Sequence, residues 1–161
     1  NLGCKNIALL SSIDNLSVGK LRAEGYLKAL ENNTIPVNSN IILRADSEED
    51  LNSKIENIFE NNTIDGVFAL DENDSVAALK IGLKKGYKIP EELSIIGFAD
   101  GILASRRLSP SLTTVSQHGV DIGEVAAKLL IDRLESKEEH VPYETVVIKT
   151  KLKERESTRK L

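Results

Sequence analysis

The chain has 161 residues, of which 40% are apolar and 29% charged, and its net charge is -4. That is the make-up of an ordinary globular domain or two small lobes. It excludes a basic nucleic-acid-contacting surface, and no stretch approaches the roughly 18 apolar residues of a membrane span. The single Cys4 cannot form an internal disulfide, which fits a reducing compartment. No basic-plus-apolar leader opens the chain. Methionine is absent, and the sequence starts just before a strand, so it reads as a piece of a longer protein.

In chain order, "NIALLSS" (residues 6–12) is a short apolar run and predicts a buried strand. "SVGKLRAEGYLKALENN" predicts a helix with Ser17 as N-cap and Val18, Leu21, Gly25 and Ala29 on one face. "NIILR" is a second strand. "SEEDLNSKIENIFENN" opens with Ser47 and has Asp50 three residues later, a capping-box-like start. Leu51, Ile55, Ile58 and Phe59 then form a helical stripe. "DGVFAL" is a third strand, followed by a helix with Val76, Leu79 and Leu83 on one face and stops at Gly86 and Pro90. "LSIIGFA" is a fourth strand. "DGILASRRLSPSLTTV" reads as a long polar loop, and such loops are often functional. A helix is expected from about Asp121, with Glu124 at its capping position and Ile122, Val125, Ala126, Leu129, Leu130 and Leu134 as its stripe. "YETVVIKTKLKER" closes the chain as one or two strands.

Strands that alternate with helices imply a mainly parallel, doubly wound α/β sheet with right-handed crossovers. In such sheets ligands lie beyond the carboxyl ends of the strands. That rule selects Ser11, Ser12 and Asp14 after the first strand, Asp71 after the third, and Ala99 and Asp100 after the fourth. Asp71 or Asn73 also suits an N-cap, and a cap residue can still meet a ligand. Arg22, early in the first helix, offers a rigid fork of donors for hydroxyls, carboxylates or phosphates. Arg106 and Arg107 are too few for a nucleic-acid patch.

Signals for catalysis are weak. The acidic cluster has no second cluster or nearby histidine to make a catalytic metal site. No phosphate-loop, dinucleotide-fold or nucleophile-elbow motif occurs. His118 reads as a polar boundary residue before a helix, and His140 lies further on. The chain is expected to be no enzyme and to carry no cofactor or metal.

Six stretches, "KNIALLSS", "KLRAEGYLKAL", "DGVFALDENDSVAALK", "GYKIPEELSIIGFADG", "SPSLTTVSQHGVDIGEVAAKLLIDRL" and "KERESTRK", occur in an order that resembles the LacI/GalR family of bacterial transcription regulators. The resemblance covers essentially the whole chain. It implies a Rossmann-like fold of the periplasmic-binding-protein type, here the C-terminal part of an effector-binding domain. Residues 1–114 would form the C-terminal lobe, 115–142 a crossover segment and helix of the other lobe, and 143–161 the terminal strands and tail. The helix-turn-helix would lie outside this chain.

The resemblance further implies a small-molecule effector, carbohydrate or a derivative, bound in an interlobe cleft by Arg22, Asp71, Asp100, Gln117 and Ser12. It implies homodimerisation through Val76 and Leu108, DNA contact only through a separate N-terminal head, no membrane partner and a cytoplasmic location. Asp71 and Glu72 fall on the family's Asn-Asp pair without a gap, whereas pairing through Asn73 and Asp74 requires two extra residues. Asp71 stands where the family has Asn, Ala99 where Asp is common, Ala77 where Gly is common and Cys4 where His is frequent. Glu72 reads as a polar helix-start residue, and Asn73, Asp74 and Ser75 as first-turn or exposed-face residues. The helix near residues 121–135 is expected to lack part of its packing partner in this chain. The other reading is an extracytoplasmic sugar-binding protein for transport or chemotaxis.

Overall fold

The computed structural model describes residues 3–98, 108–137 and 141–160. Its elements are β1 (Ile7–Ser11), α1 (Ser17–Asn32), β2 (Ile42–Arg44), α2 (Glu48–Asn61), β3 (Gly66–Ala69), α3 (Glu72–Lys84), β4 (Ser94–Phe98), β5 (Thr113–Ser116), α4 (Gly119–Glu135) and β6 (Lys151–Lys153). The strands form one sheet in the order β2-β1-β3-β4-β5-β6. The first five are mutually parallel, and β6 is antiparallel to β5.

Alternate strand residues point to opposite faces, and this divides the core in two. Ala8, Leu10, Val67 and Ala69 pack with Leu51, Ile55 and Phe59 of α2 and Leu79 of α3. Leu9 and Phe68 face the other way and pack with Ala23, Tyr26 and Leu30 of α1. The helix α2 forms as its sequence predicts. Ser47 Oγ accepts from the Asp50 N–H at 3.2 Å, and Leu51, Ile55, Ile58 and Phe59 are all buried. Burying each such side chain contributes about 1.5–3 kcal/mol. The helix α3 ends on Gly86 at φ +86, with the Tyr87 N–H returning to Gly82 O at 3.0 Å. This is a left-handed stop that glycine adopts without strain.

Several expectations are corrected. Residues 113–116 are a strand, not loop, because their backbone pairs with β4 on one side and β6 on the other. Leu16, not Ser17, occupies the cap of α1, without a side-chain cap bond. The 18/21/25/29 face of α1 is not its packed face: Val18 is 39% and Leu21 65% exposed, and the buried residues are Gly19, Ala23, Tyr26 and Leu30. Leu83 is exposed as well. The cap of α4 is His118, at φ 58, with its Nδ1 3.0 Å from Asp121 Oδ2; Glu124 lies inside the helix. Of residues 143–153, only Lys151–Lys153 are in a strand. The helix α4 buries none of its residues, and Val120, Leu130 and Leu134 are more than half exposed.

Candidate functional site

The parallel strands bring their carboxyl ends to one edge, and the chain turns there after β1, β3 and β5. Arg22 projects from the first turns of α1 toward this rim. Its Nη1 donates to Leu70 O at 2.6 Å and its Nη2 to Gln117 Oε1 at 2.7 Å. Its Cζ lies 3.8 Å from the centroid of the Phe98 ring, a cation–π stack. One guanidinium thus joins α1 to the ends of β3, β4 and β5. Burial lowers the Arg22 pKa, and the nearby Asp71 carboxylate opposes that shift.

Asp71 caps α3, its Oδ1 accepting from the Asn73 N–H at 2.8 Å. Its charge is felt at Arg22, so the two expected effector residues share one edge of the lobe. Ser12 lies on the β1–α1 loop, where its N–H donates to Asp74 Oδ2 at 3.1 Å. On the same loop Asp14 accepts from Ser11 Oγ at 2.6 Å and pairs with Arg44 Nε at 2.7 Å. Gly19 seats this loop: a Cβ there would stand 2.1 Å from Ile13 O.

The structure therefore gathers Arg22, Asp71, Gln117 and Ser12 at one rim. Asp100, Ala99, Arg106, Arg107 and His140 lie outside the described residues. Val76 is only 8% exposed and belongs to the core, and Leu108 packs partly buried against it. Asp74 and Ser75 lie in the first turn of α3, one of the two places expected for them. Neither is on an exposed face: both are fully buried. Ser75 Oγ bonds back to Glu72 O at 2.7 Å, and a Cβ at Gly97 would stand 2.6 Å from Ser75 Cβ, so α3 lies hard against β4.

Phe98, Asp74 and Arg44 were not selected from the sequence as site residues. Phe98 had a signal, being an aromatic at the last position of a strand whose carboxyl end meets the rim. From Arg22 and Phe98 an apolar groove of about 620 Å³ runs along α1 to Cys4 and Ser94, lined by Val18, Leu21 and Phe68. This explains the exposed apolar face of α1. Among the described residues no group of three or more His, Cys, Asp or Glu is placed to hold a metal. No described helix is long and apolar enough to cross a membrane.

A mostly parallel, doubly wound sheet with charged and amide groups at its carboxyl edge has the periplasmic-binding-protein-like fold. The family model for the periplasmic binding protein-like domain matches residues 1–158. The chain belongs to that family, in its LacI-type regulator branch. It is 36% identical to the ribose operon repressor of Halalkalibacterium halodurans in an alignment 161 positions long that covers 98% of this chain and 46% of that protein. Among solved structures, a LacI transcriptional regulator from Bacillus cereus subsp. cytotoxis superposes with a TM-score of 0.85 at 29% identity, covering 98% of this chain and 56% of that one. The transcriptional regulator CelR in complex with cellobiose gives 0.82 at 25% identity, covering 96% and 47%. The chain spans about half the length of the relatives it matches. These relatives are regulators of transcription and not enzymes.

Proposed function

We propose that this chain is the effector-sensing and dimerisation region of a cytoplasmic LacI-type regulator. The observation that carries the reading is Arg22, held between Leu70 O, Gln117 and the Phe98 ring beside Asp71 at the carboxyl edge of the sheet. That arrangement presents a preorganised cation and carboxylate to a small molecule, with Ser12 on the neighbouring β1–α1 loop; Asp100, outside the described residues, is included on the family resemblance alone. An uncharged polyhydroxylated molecule suits paired donors and acceptors, and one structural relative is recorded with cellobiose. A carbohydrate or carbohydrate derivative is therefore the proposed effector.

In the intact protein, the C-terminal lobe expected over residues 1–114 runs on to Ser116 at the end of β5, and the residues from there to 142 cross to the other lobe. Residues 143–161 return to close the sheet. The exposure of α4 supports this division: none of its residues is buried, and Val120, Leu130 and Leu134 are more than half exposed. Effector favours one lobe arrangement, and a dimer pairing through Leu108 and the Val76 end of α3 carries that preference to a separate DNA-binding head. No cofactor or metal enters this reading.

The test uses the full-length protein. A panel of mono- and disaccharides is screened by thermal shift, and any hit is then tested for a change in operator binding. Arg22→Ala is expected to abolish both responses while the protein stays folded. A hit whose binding is indifferent to Arg22 would overturn the reading. An extracytoplasmic sugar-binding protein remains the second reading, supported by the shared fold. A ligand that binds the intact protein without altering any DNA complex favours it.

A further inference from the structure

The cleft reading makes no use of Asp74. This carboxylate stands in the first turn of α3 and is fully buried. Its Oδ2 accepts from the Ser12 N–H at 3.1 Å and so joins α3 to the β1–α1 loop. Its Oδ1 is buried without a hydrogen-bond partner. A buried ionised carboxylate is ordinarily matched by several donors or by a cation. The charges acting on this one are of its own sign: Asp71 on the cap of α3 and Asp14 on the β1–α1 loop. Arg44 is paired to Asp14, and Arg22 is bonded to Leu70 O and Gln117.

We propose that Asp74 is a proton-gated latch: protonated, it seats the β1–α1 loop on α3; ionised, it loosens that side of the rim. A proton on Oδ1 removes the charge and leaves Oδ2 able to accept from Ser12. Loss of the proton leaves a desolvated charge beside two other carboxylates. Moving the loop and admitting water relieves that charge. The direction of titration agrees with this geometry. Burial is the largest influence raising the Asp74 pKa, the two carboxylates add to it, and the Ser12 hydrogen bonds oppose it. A carboxyl with a raised folded-state pKa binds its proton more tightly in the native state. Its contribution is full below the ordinary value of 3.8 and is lost as pH rises through the folded-state value. The latch stands on these contacts alone. Only its consequence for effector binding, a rim better ordered in mild acid, rests on the cleft reading.

The test needs no effector. The Ser12 amide is followed by NMR from about pH 3.5 to 8, a range spanning ordinary and raised carboxylate values, in the wild type, D74N and D74A. The wild-type shift is expected to titrate with a midpoint above 3.8, and D74N is expected to be flat. At the alkaline end D74N should protect the Ser12 amide at least as well as the wild type. D74A should exchange it on the order of tenfold faster than D74N, as a local opening. A flat wild-type profile, a midpoint at or below the ordinary aspartate value, or D74N exchanging as fast as D74A overturns the proposal. If D74A does not fold, the wild type and D74N decide alone. A latch that titrates while Arg22→Ala leaves ligand binding of the intact protein unchanged would sink the cleft reading and spare the latch.

Discussion

Arg22 reaches across 95 positions of sequence to donate to Gln117 at 2.7 Å, while its other terminal nitrogen holds Leu70 O. The guanidinium thereby fixes where the chain leaves the sheet after β5. Hydrogen bonds from a charged donor are worth roughly 1.5–3 kcal/mol each. Arg22→Lys keeps the charge but loses the planar fork and much of the stack on Phe98. It should lower the urea midpoint and weaken effector binding together. Gln117→Leu should cost less on its own, and a double-mutant cycle should return a coupling of about 0.5–3 kcal/mol. Additive effects would show that the contact is incidental.

Gly19→Ala should be disruptive although alanine is the better helix former. The added methyl would stand 2.1 Å from Ile13 O, a backbone atom that cannot swing aside. The β1–α1 loop must shift, at a cost of about 1–3 kcal/mol for overpacking. Thermal unfolding measures the loss, and the Ser12 and Asp14 amide shifts report whether the loop has moved. Gly25→Ala, where a Cβ meets nothing within 4 Å, is the control and should be neutral or stabilising.

Ser157→Ala should destabilise far more than a serine near a chain end suggests. Its hydroxyl donates to Ile95 O at 2.6 Å and accepts from the Thr113 N–H at 2.8 Å, and the residue is fully buried. The substitution leaves one buried donor and one buried acceptor unpaired, each costing about 1–3 kcal/mol. Urea denaturation should show the drop. A loss below about 0.5 kcal/mol, the size of an ordinary surface change, would mean that water replaces both bonds.

The α4 stripe should make this chain self-associate. Val120, Leu130 and Leu134 are 74%, 58% and 75% exposed, and a contiguous apolar surface on an isolated chain seeks cover. Light scattering is expected to show a concentration-dependent mass. The double substitution Leu130→Glu and Leu134→Glu should reduce it without lowering the melting temperature of the sheet. A strict monomer in the wild type would defeat the expectation.

Acid should also act through exposed carboxylates. Hydrogen bonds from Ser111 hold the Glu156 carboxyl below its ordinary range, and Lys84 does the same for Glu56. A depressed folded-state pKa gives stability that is present above the unfolded value and lost as pH falls through the folded one. Glu156→Gln should therefore flatten the acid limb of a stability–pH curve, below about pH 4.5. It acts opposite in sign to Asp74, whose contribution fades on the alkaline side.

Legibility in the sequence followed how local each determinant is. The helix α2 was readable because cap and stripe lie within its own residues: Ser47, Asp50, then Leu51, Ile55, Ile58 and Phe59. The helix α1 was read as a helix but on the wrong face, because which apolar stripe packs depends on where the sheet lies, and Val18 and Leu21 border the groove instead. β5 was missed since its Thr-rich run follows Pro110 within a polar stretch, and only pairing with β4 and β6 defines it. Arg22, Asp71, Ser12 and Gln117 were selected through sheet topology and family resemblance, and the fold brings them to one rim. Asp74 was not selected, because a carboxylate in a first helical turn is normally explained by the helix dipole, and nothing local reveals that it is buried and bonded to the Ser12 N–H.

The antiparallel closure of the sheet by β6 sets a timetable. Thr113 waits for Ser157, and Ile95 for the Ser157 carbonyl at 2.7 Å, with all of α4 intervening between β5 and β6. During synthesis the ribosome delivers five strands whose last edge stays open until residues 151–158 emerge. The unpaired β5 edge is then a template for any passing strand. A nascent chain stalled after α4 is thus the species most in need of a chaperone, and residues 151–158 are what release it.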